Sequence, residues 1–162
     1  MNRNISIGSD LEKHKIVMIH DIRFKGKRKI RWEEVEKYLK QYIGDIYQIM
    51  DEKACIYIGK DLPDEYCGSN DTARLKGALA KAKANAVQGL PELIEIATNK
   101  RFTENMAEKH RENAKYGWYR YDTRFALPVY GECDKLERYN VFYVEILIRC
   151  AADGELYLYD LV

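Results

Sequence analysis

Arginine, glutamate and tyrosine, residue types that handle phosphate and protons, converge in the last third of this chain. Polar and apolar residues alternate from Gly117 to Val129, from Tyr139 to Arg149 and from Glu155 to Leu161. A strand turns successive side chains to opposite faces. Tyr119, Tyr121, Thr123, Phe125 and Leu127 therefore share one side of the first segment, and Trp118, Arg120, Asp122 and Arg124 the other. In the second segment Phe142, Val144, Ile146 and Ile148 form an unbroken apolar set that must face the core. Val141, Tyr143, Glu145, Leu147 and Arg149 lie opposite. The third segment offers Tyr157 and Tyr159 on one face and Leu156 and Leu158 on the other. If the apolar faces coincide, the outer face collects Arg120, Arg124, Arg149, Glu145 and the late tyrosines.

Such a face suits a ligand of phosphates and bases. A guanidinium fork binds phosphate in bidentate fashion, and aromatic rings give stacking surfaces, here Trp118, Tyr143, Tyr157 and Tyr159. The same set could cleave RNA without a metal. Arg120 and Arg124 would stabilise the charge developing on phosphorus, while Glu145 or His110 moves protons. His110 sits in Lys109-His110-Arg111, whose positive charges favour the neutral imidazole that a general base needs. The plainer reading is a wetted sheet face on which Arg–Glu cross-strand pairs are ordinary.

Other basic stretches are candidates for phosphate binding. Phe24 to Arg31 carries Lys25, Lys27, Arg28, Lys29 and Arg31, and forms either a solvated tip or a phosphate-contacting patch, with Lys27 and Arg28 at its centre. Arg74 and Lys81 flank one side of a later helical stripe, and Lys76 and Lys83 the other. Lysines so placed extend over a core edge to water or reach toward nucleic acid. Cys55, Cys67, Cys133 and Cys150 are scattered without a Cys-x-x-Cys motif, and His14, His20 and His110 match no ligand spacing. No metal site and no cofactor are expected. Nucleophile motifs, phosphate-cradling glycine loops and paired-aspartate metal sites are absent from the sequence.

The elements that must position these residues are legible from periodicity. Residues 1–13 are polar and expected to be loosely held, and 14–60 read as a strand, a helix and a hairpin. Lys15 to Ile22 is the strand. Trp32, Val35, Leu39 and Ile43 recur at helical spacing ahead of Gly44, predicting a helix over 31–43. Asp45 to Met50 and Ala54 to Ile58 pair about Asp51-Glu52-Lys53. Lys60 to Asn70, with Pro, Gly, Asp and Ser, reads as a loop. Residues 71–114 read as helices. One is capped by Asn70 or Asp71, with Leu75, Leu79, Ala82 and Ala86 as its buried stripe, and ends at Gly89. The next begins near Pro91 with Leu93, Ile94 and Ala97 inward, and a polar helix or helical lid follows from Arg101 to Ala114. Residues 117–162 form an antiparallel meander, its last turn signalled by Asp153-Gly154. The expected fold is α+β, with helices on one face of a C-terminal meander of three or more strands, in a single domain over 1–162.

Composition narrows the classes. The chain has 162 residues, 46% hydrophobic and 33% charged, with 10 Gly and 3 Pro, which excludes collagen-like and broadly disordered classes. Its 13 Tyr suit half-buried sheet faces and contact surfaces. A net charge of +1 gives no global attraction to nucleic acid, so any such partner needs a local patch. The polar first ten residues predict no secretory leader. No apolar run reaches the ~20 residues that span a bilayer, so no membrane partner is expected, and unpatterned cysteines suit a cytoplasm.

Asp61-Leu-Pro-Asp-Glu-Tyr66, Ala82-Lys-Ala-Asn-Ala86, Leu90-Pro-Glu-Leu-Ile94, Glu108-Lys-His110, Gly117-Trp-Tyr119 and Tyr157-Leu-Tyr-Asp160 follow in an order that resembles one family. It is the third associated domain of the large polyvalent proteins of phages and conjugative elements of Gram-positive bacteria, covering about residues 60–162. A helical front end feeding a meander is also similar to the barnase–EndoU–colicin–RelE class of metal-independent ribonucleases. The resemblance implies a phage or mobile-element protein acting inside a bacterial host cell, and nominates His110, Trp118, Tyr119 and Tyr159. Three functions compete: a nucleic-acid-directed module of the ribonuclease-like class, active or degenerate; an anti-defence protein, such as an anti-CRISPR inhibitor, that contacts a host nucleoprotein effector directly; and a structural or targeting domain without ligand, whose outer arginines all pair with carboxylates.

Overall fold

The computed structural model describes residues 3–26, 29–103 and 117–162. The chain begins with β1 (Ile5–Ser9) and β2 (Lys15–Ile19), an antiparallel pair. Next come α1 (Trp32–Leu39), a 3-10 turn (Lys40–Tyr42), and the hairpin of β3 (Ile46–Ile49) and β4 (Ala54–Tyr57). Helices α2 (Leu62–Gly68), α3 (Asn70–Arg74) and α4 (Gly77–Ala86) lead through a 3-10 turn (Val87–Gly89) into α5 (Leu90–Glu95). Strands β5 (Thr98–Thr103), β6 (Trp118–Tyr130), β7 (Leu136–Cys150) and β8 (Leu156–Leu161) finish the described chain. The architecture is mixed α+β.

One curled sheet of eight strands runs β1-β2-β6-β7-β8-β4-β3 among the described residues, with β5 added to β6. Strands β6, β7 and β8 pair antiparallel in succession, while β2 joins β6 and β4 joins β8 in parallel. Strand parity follows the hydrophobic alternation. Tyr121, Phe125, Ile146 and Ile148 are fully buried, and Phe142 stacks on Phe125 at 5.3 Å between ring centroids. Each such side chain contributes roughly 1.5–3 kcal/mol of burial, so a one-residue slip would expose the whole set. Residues 82–91 are buried without interruption. This run packs on β2 and β6, and its continuation in α5 packs on β3 as well.

Several sequence expectations give way. Residues 5–9, expected to be loose, form an edge strand because Ile5 and Ile7 register against Ile19 and Val17. The segment 60–70 is not a loop. Pro63 stands at the first helical positions with Asp64 and Glu65 in the first turn, and these favour α2. The single helix expected from 71 to 89 breaks at Leu75, which is extended at ψ 141°. Gly77 then takes φ +58°. The break leaves Leu79 exposed rather than in a buried stripe. Residues 98–103 pair with β6 as a strand, so the helix expected from Arg101 does not begin there. Ile43 is exposed, and Tyr42 takes its place in the core.

Lys83 is the sharpest departure, since it does not reach water. Its ammonium lies 2.8 Å from Asp160 Oδ1 and 3.0 Å from Asp71 Oδ2, and only 6% of the side chain is exposed, against 2% for Asp160. Tyr66 lies beneath the ammonium at 5.0 Å and donates its hydroxyl to the Lys83 carbonyl at 2.6 Å. Burial pushes the Asp160 carboxyl above its usual range, against the opposing pull of Lys83. Among the described residues, no helix is long and apolar enough to cross a membrane.

Candidate functional site

The outer face of β6, β7 and β8 gathers most of the nominated side chains. Cross-strand register sets Trp118 against Arg149, Arg120 against Leu147, Asp122 against Glu145 and Arg124 against Tyr143, and places Tyr157 beside Arg149 from the other side. The face divides along the strands into an ionic middle, an arginine end and an aromatic end.

In the middle, Arg120 Nη1 donates to Glu145 Oε1 at 2.9 Å. Arg101, reaching over from β5, donates through Nη2 to Glu145 Oε2 at 2.6 Å and to Asp122 Oδ1 at 2.8 Å. Asn99 completes the cluster by donating to Asp122 Oδ2 at 2.7 Å. The hydrogen bond from Arg101, ahead of the opposing cost of desolvation, holds the Asp122 carboxyl below the usual range. Both oxygens of Glu145 are engaged by guanidinium groups.

Arg124 takes a different direction. Its Nη1 lies 3.0 Å from Asp10 Oδ2 in the turn between β1 and β2, and its guanidinium carbon lies 5.0 Å from the centre of the Tyr143 ring. Asp10 is itself fixed by the backbone N–H groups of Glu12 and His14, and its carboxylate lies 3.3 Å from His14 Nδ1. The structure thus brings Arg120 and Glu145 together and sends Arg124 elsewhere. His110, the remaining member of the nominated catalytic set, lies outside the described residues, as do Lys27 and Arg28.

The aromatic end is more compact. Trp118 and Tyr159 meet edge to face at 5.0 Å, Arg149 lies 4.4 Å over the Tyr157 ring, and Tyr57 of β4 tilts against Tyr157 at 5.9 Å. Tyr157 donates its hydroxyl to Asp153 Oδ2 at 2.9 Å. A shift in pairing between Leu147 and Ile148 puts an extra residue in β8 at Tyr159. There the phenol is pushed upward by burial and then by its hydrogen bond to Glu65. All four nominated residues are half-buried.

Sequence reasoning missed Arg101, Asp10 and Tyr57. Arg101 sat in a polar stretch without alternation, and its strand carries a bulge, with Asn99 at φ +60°. Asp10 and Tyr57 become neighbours of the site only through the two parallel pairings, for which the sequence holds no local signal. Among the described residues no group of three or more His, Cys, Asp and Glu side chains is placed to hold a metal. No known protein family matches the chain, and neither a curated protein nor a solved structure matches it.

Proposed function

We propose that the protein is a nucleic-acid-directed binding module that takes single-stranded RNA across the outer face of its C-terminal meander. The observation that carries this reading is the joint cluster of Trp118, Tyr159, Tyr157 and Arg149. Half-exposed rings stack on bases of any sequence, and a guanidinium poised over a ring pairs with the adjoining phosphate. The arrangement favours the binding form of a ribonuclease-like module over a cleaving one, because Glu145 is saturated by Arg101 and Arg120.

The test is fluorescence anisotropy of an end-labelled oligouridylate in EDTA at low salt. One stacking ring is worth about 1–3 kcal/mol, so Tyr157→Ala weakens binding by roughly 5- to 150-fold. Absence of binding, or equal binding by Tyr157→Ala, would refute the reading. A second reading, direct contact with a host defence nucleoprotein complex, draws on one observation. Arg101, Arg120 and Arg124 are balanced on this face by Asp10, Asp122 and Glu145. A charge-balanced patch of Trp, Tyr and Arg suits a protein interface. It predicts that Tyr157→Ala abolishes association with a purified effector while oligouridylate does not bind.

A further inference from the structure

Two basic stretches about fifty residues apart in sequence meet across an open cavity of about 600 Å³. Lys25 and Lys29 come from the turn before α1, and Lys76 and Lys81 from the start of α4; Trp32, Ile30, Leu75 and Cys67 supply apolar wall. Asn85 explains the meeting. Fully buried on α4, its Oδ1 accepts from the backbone N–H of Arg23 at 2.9 Å and of Phe24 at 3.0 Å, while its Nδ2 donates to the Phe24 carbonyl at 2.9 Å. Those three bonds fix the root of the basic turn against the helix. Gly26 then bends it at φ +43°, where a Cβ would fall 2.5 Å from the Lys29 carbonyl oxygen.

The electrostatics differ from those of the sheet face. Arg101, Arg120, Arg124, Lys83 and Lys100 all have carboxylate partners. None of the four cleft lysines forms an ion pair among the described residues, and no acidic side chain of the described residues lines the cavity. Glu36 stands near Cys67, one of the lining residues. The Cys67 thiol is pushed up to about 12, by burial first and by Glu36 second, and so stays neutral. Four like charges round one hollow repel one another unless an anion joins them. At the first turn of α4 the cap residue, Lys76, makes no side-chain cap bond, so backbone N–H groups add to the positive field. A cavity of this size fits a small organic ligand.

We infer that this cleft is a second, separate site that binds the phosphate groups of a nucleotide, with Lys25, Lys29, Lys76 and Lys81 on the phosphates and Trp32 beside the base. The phosphates belong either to a free nucleoside triphosphate or to an RNA strand, and both present the same chemistry. The inference shares no residue with the sheet-face reading and stands or falls separately from it.

The experiment is calorimetric titration of the full chain in EDTA with ATP, tripolyphosphate, adenosine and oligouridylate. It is repeated on the exposed double variant Lys29→Glu/Lys76→Glu and on Tyr157→Ala, with circular dichroism confirming the fold of each. ATP and tripolyphosphate should bind, adenosine should not, and the lysine variant should weaken ATP by about tenfold or more while Tyr157→Ala leaves it unchanged. If oligouridylate alone binds and is weakened by the lysine variant, the phosphates are those of RNA, and the slope of log K against log salt becomes shallower by roughly 0.7 for each lysine–phosphate pairing removed. The inference is overturned if no phosphate-bearing probe binds, if adenosine binds as well as ATP, or if the lysine variant binds every probe as the parent does. Loss of oligouridylate binding on Tyr157→Ala alone assigns the RNA to the sheet face, and the cleft is then overturned unless ATP or tripolyphosphate binds and is weakened by the lysine variant.

Discussion

Replacing Lys83 by methionine removes the cation from a pair whose members are 6% and 2% exposed and 2.8 Å apart. Asp160 then keeps its Leu161 backbone N–H at 2.9 Å and a hydrogen bond from Ser69, neither of which carries a compensating charge. Breaking one partner of a buried pair costs about 3–5 kcal/mol, because the other charge is left without compensation. Against a domain stability of roughly 5–15 kcal/mol, that is a large share. With a urea slope of about 2 kcal/mol per molar, the unfolding midpoint of Lys83→Met falls by roughly 1.5–2.5 M. The double variant Lys83→Met/Asp160→Leu should regain most of this, since an apolar pair of similar volume is often neutral or stabilising; Asp71, 25% exposed, can turn to water. The pH dependence supplies an independent sign. The folded-state Asp160 carboxyl is already raised above its unfolded value, and loss of Lys83 raises it further. Its contribution is therefore favourable at low pH and lost as pH rises, so the deficit of Lys83→Met is smaller at pH 5 than at pH 8. A midpoint shift under about 0.5 M, or a double variant no more stable than the single, would refute the reasoning.

Tyr121 is fully buried with no hydrogen-bond partner for its hydroxyl among the described residues. Tyr121→Phe should raise stability by about 1 kcal/mol in urea unfolding, and a loss instead would mean that the hydroxyl has a partner in solution. Asp122 is held below the usual range by Arg101, so its contribution is present above an unfolded value of 3.8 and disappears as pH falls through the folded one. The gap between the parent and Asp122→Asn in urea midpoint should accordingly be larger at pH 7 than at pH 3. A constant gap would contradict it.

The strands carrying the outer face were legible because Phe142, Val144, Ile146 and Ile148 leave one parity free, and parity is a local property of the chain. Partner choice on that face was not. Arg120 and Arg124 read as equivalent, yet one meets Glu145 and the other Asp10, because a turn more than a hundred residues away lies over Arg124. The division of the helical region was hidden for a related reason. Leu75 and Leu79 keep helical spacing, whereas the structure ends α3 by burying Thr72, whose hydroxyl donates to the Tyr66 carbonyl at 2.6 Å. Lys83 looked like any flanking lysine, since the two aspartates that hold it come from α3 and β8. Lys25 and Lys76 could each be seen as basic; that they face one cavity depends on Asn85, whose role no periodicity reveals.

The two parallel seams of the sheet set the order in which the chain can complete itself. Val17 finds its partner in Phe125, and Tyr57 in Tyr157. During synthesis at about 5–20 residues per second, β2 waits roughly 5–20 s for β6 to leave the ribosome, with Val17 and Ile19 uncovered meanwhile. The β6–β7 hairpin, by contrast, closes on its neighbour as soon as it emerges. Both the β1–β2 and the β3–β4 hairpins therefore wait for strands about a hundred residues further along before their parallel edges are covered.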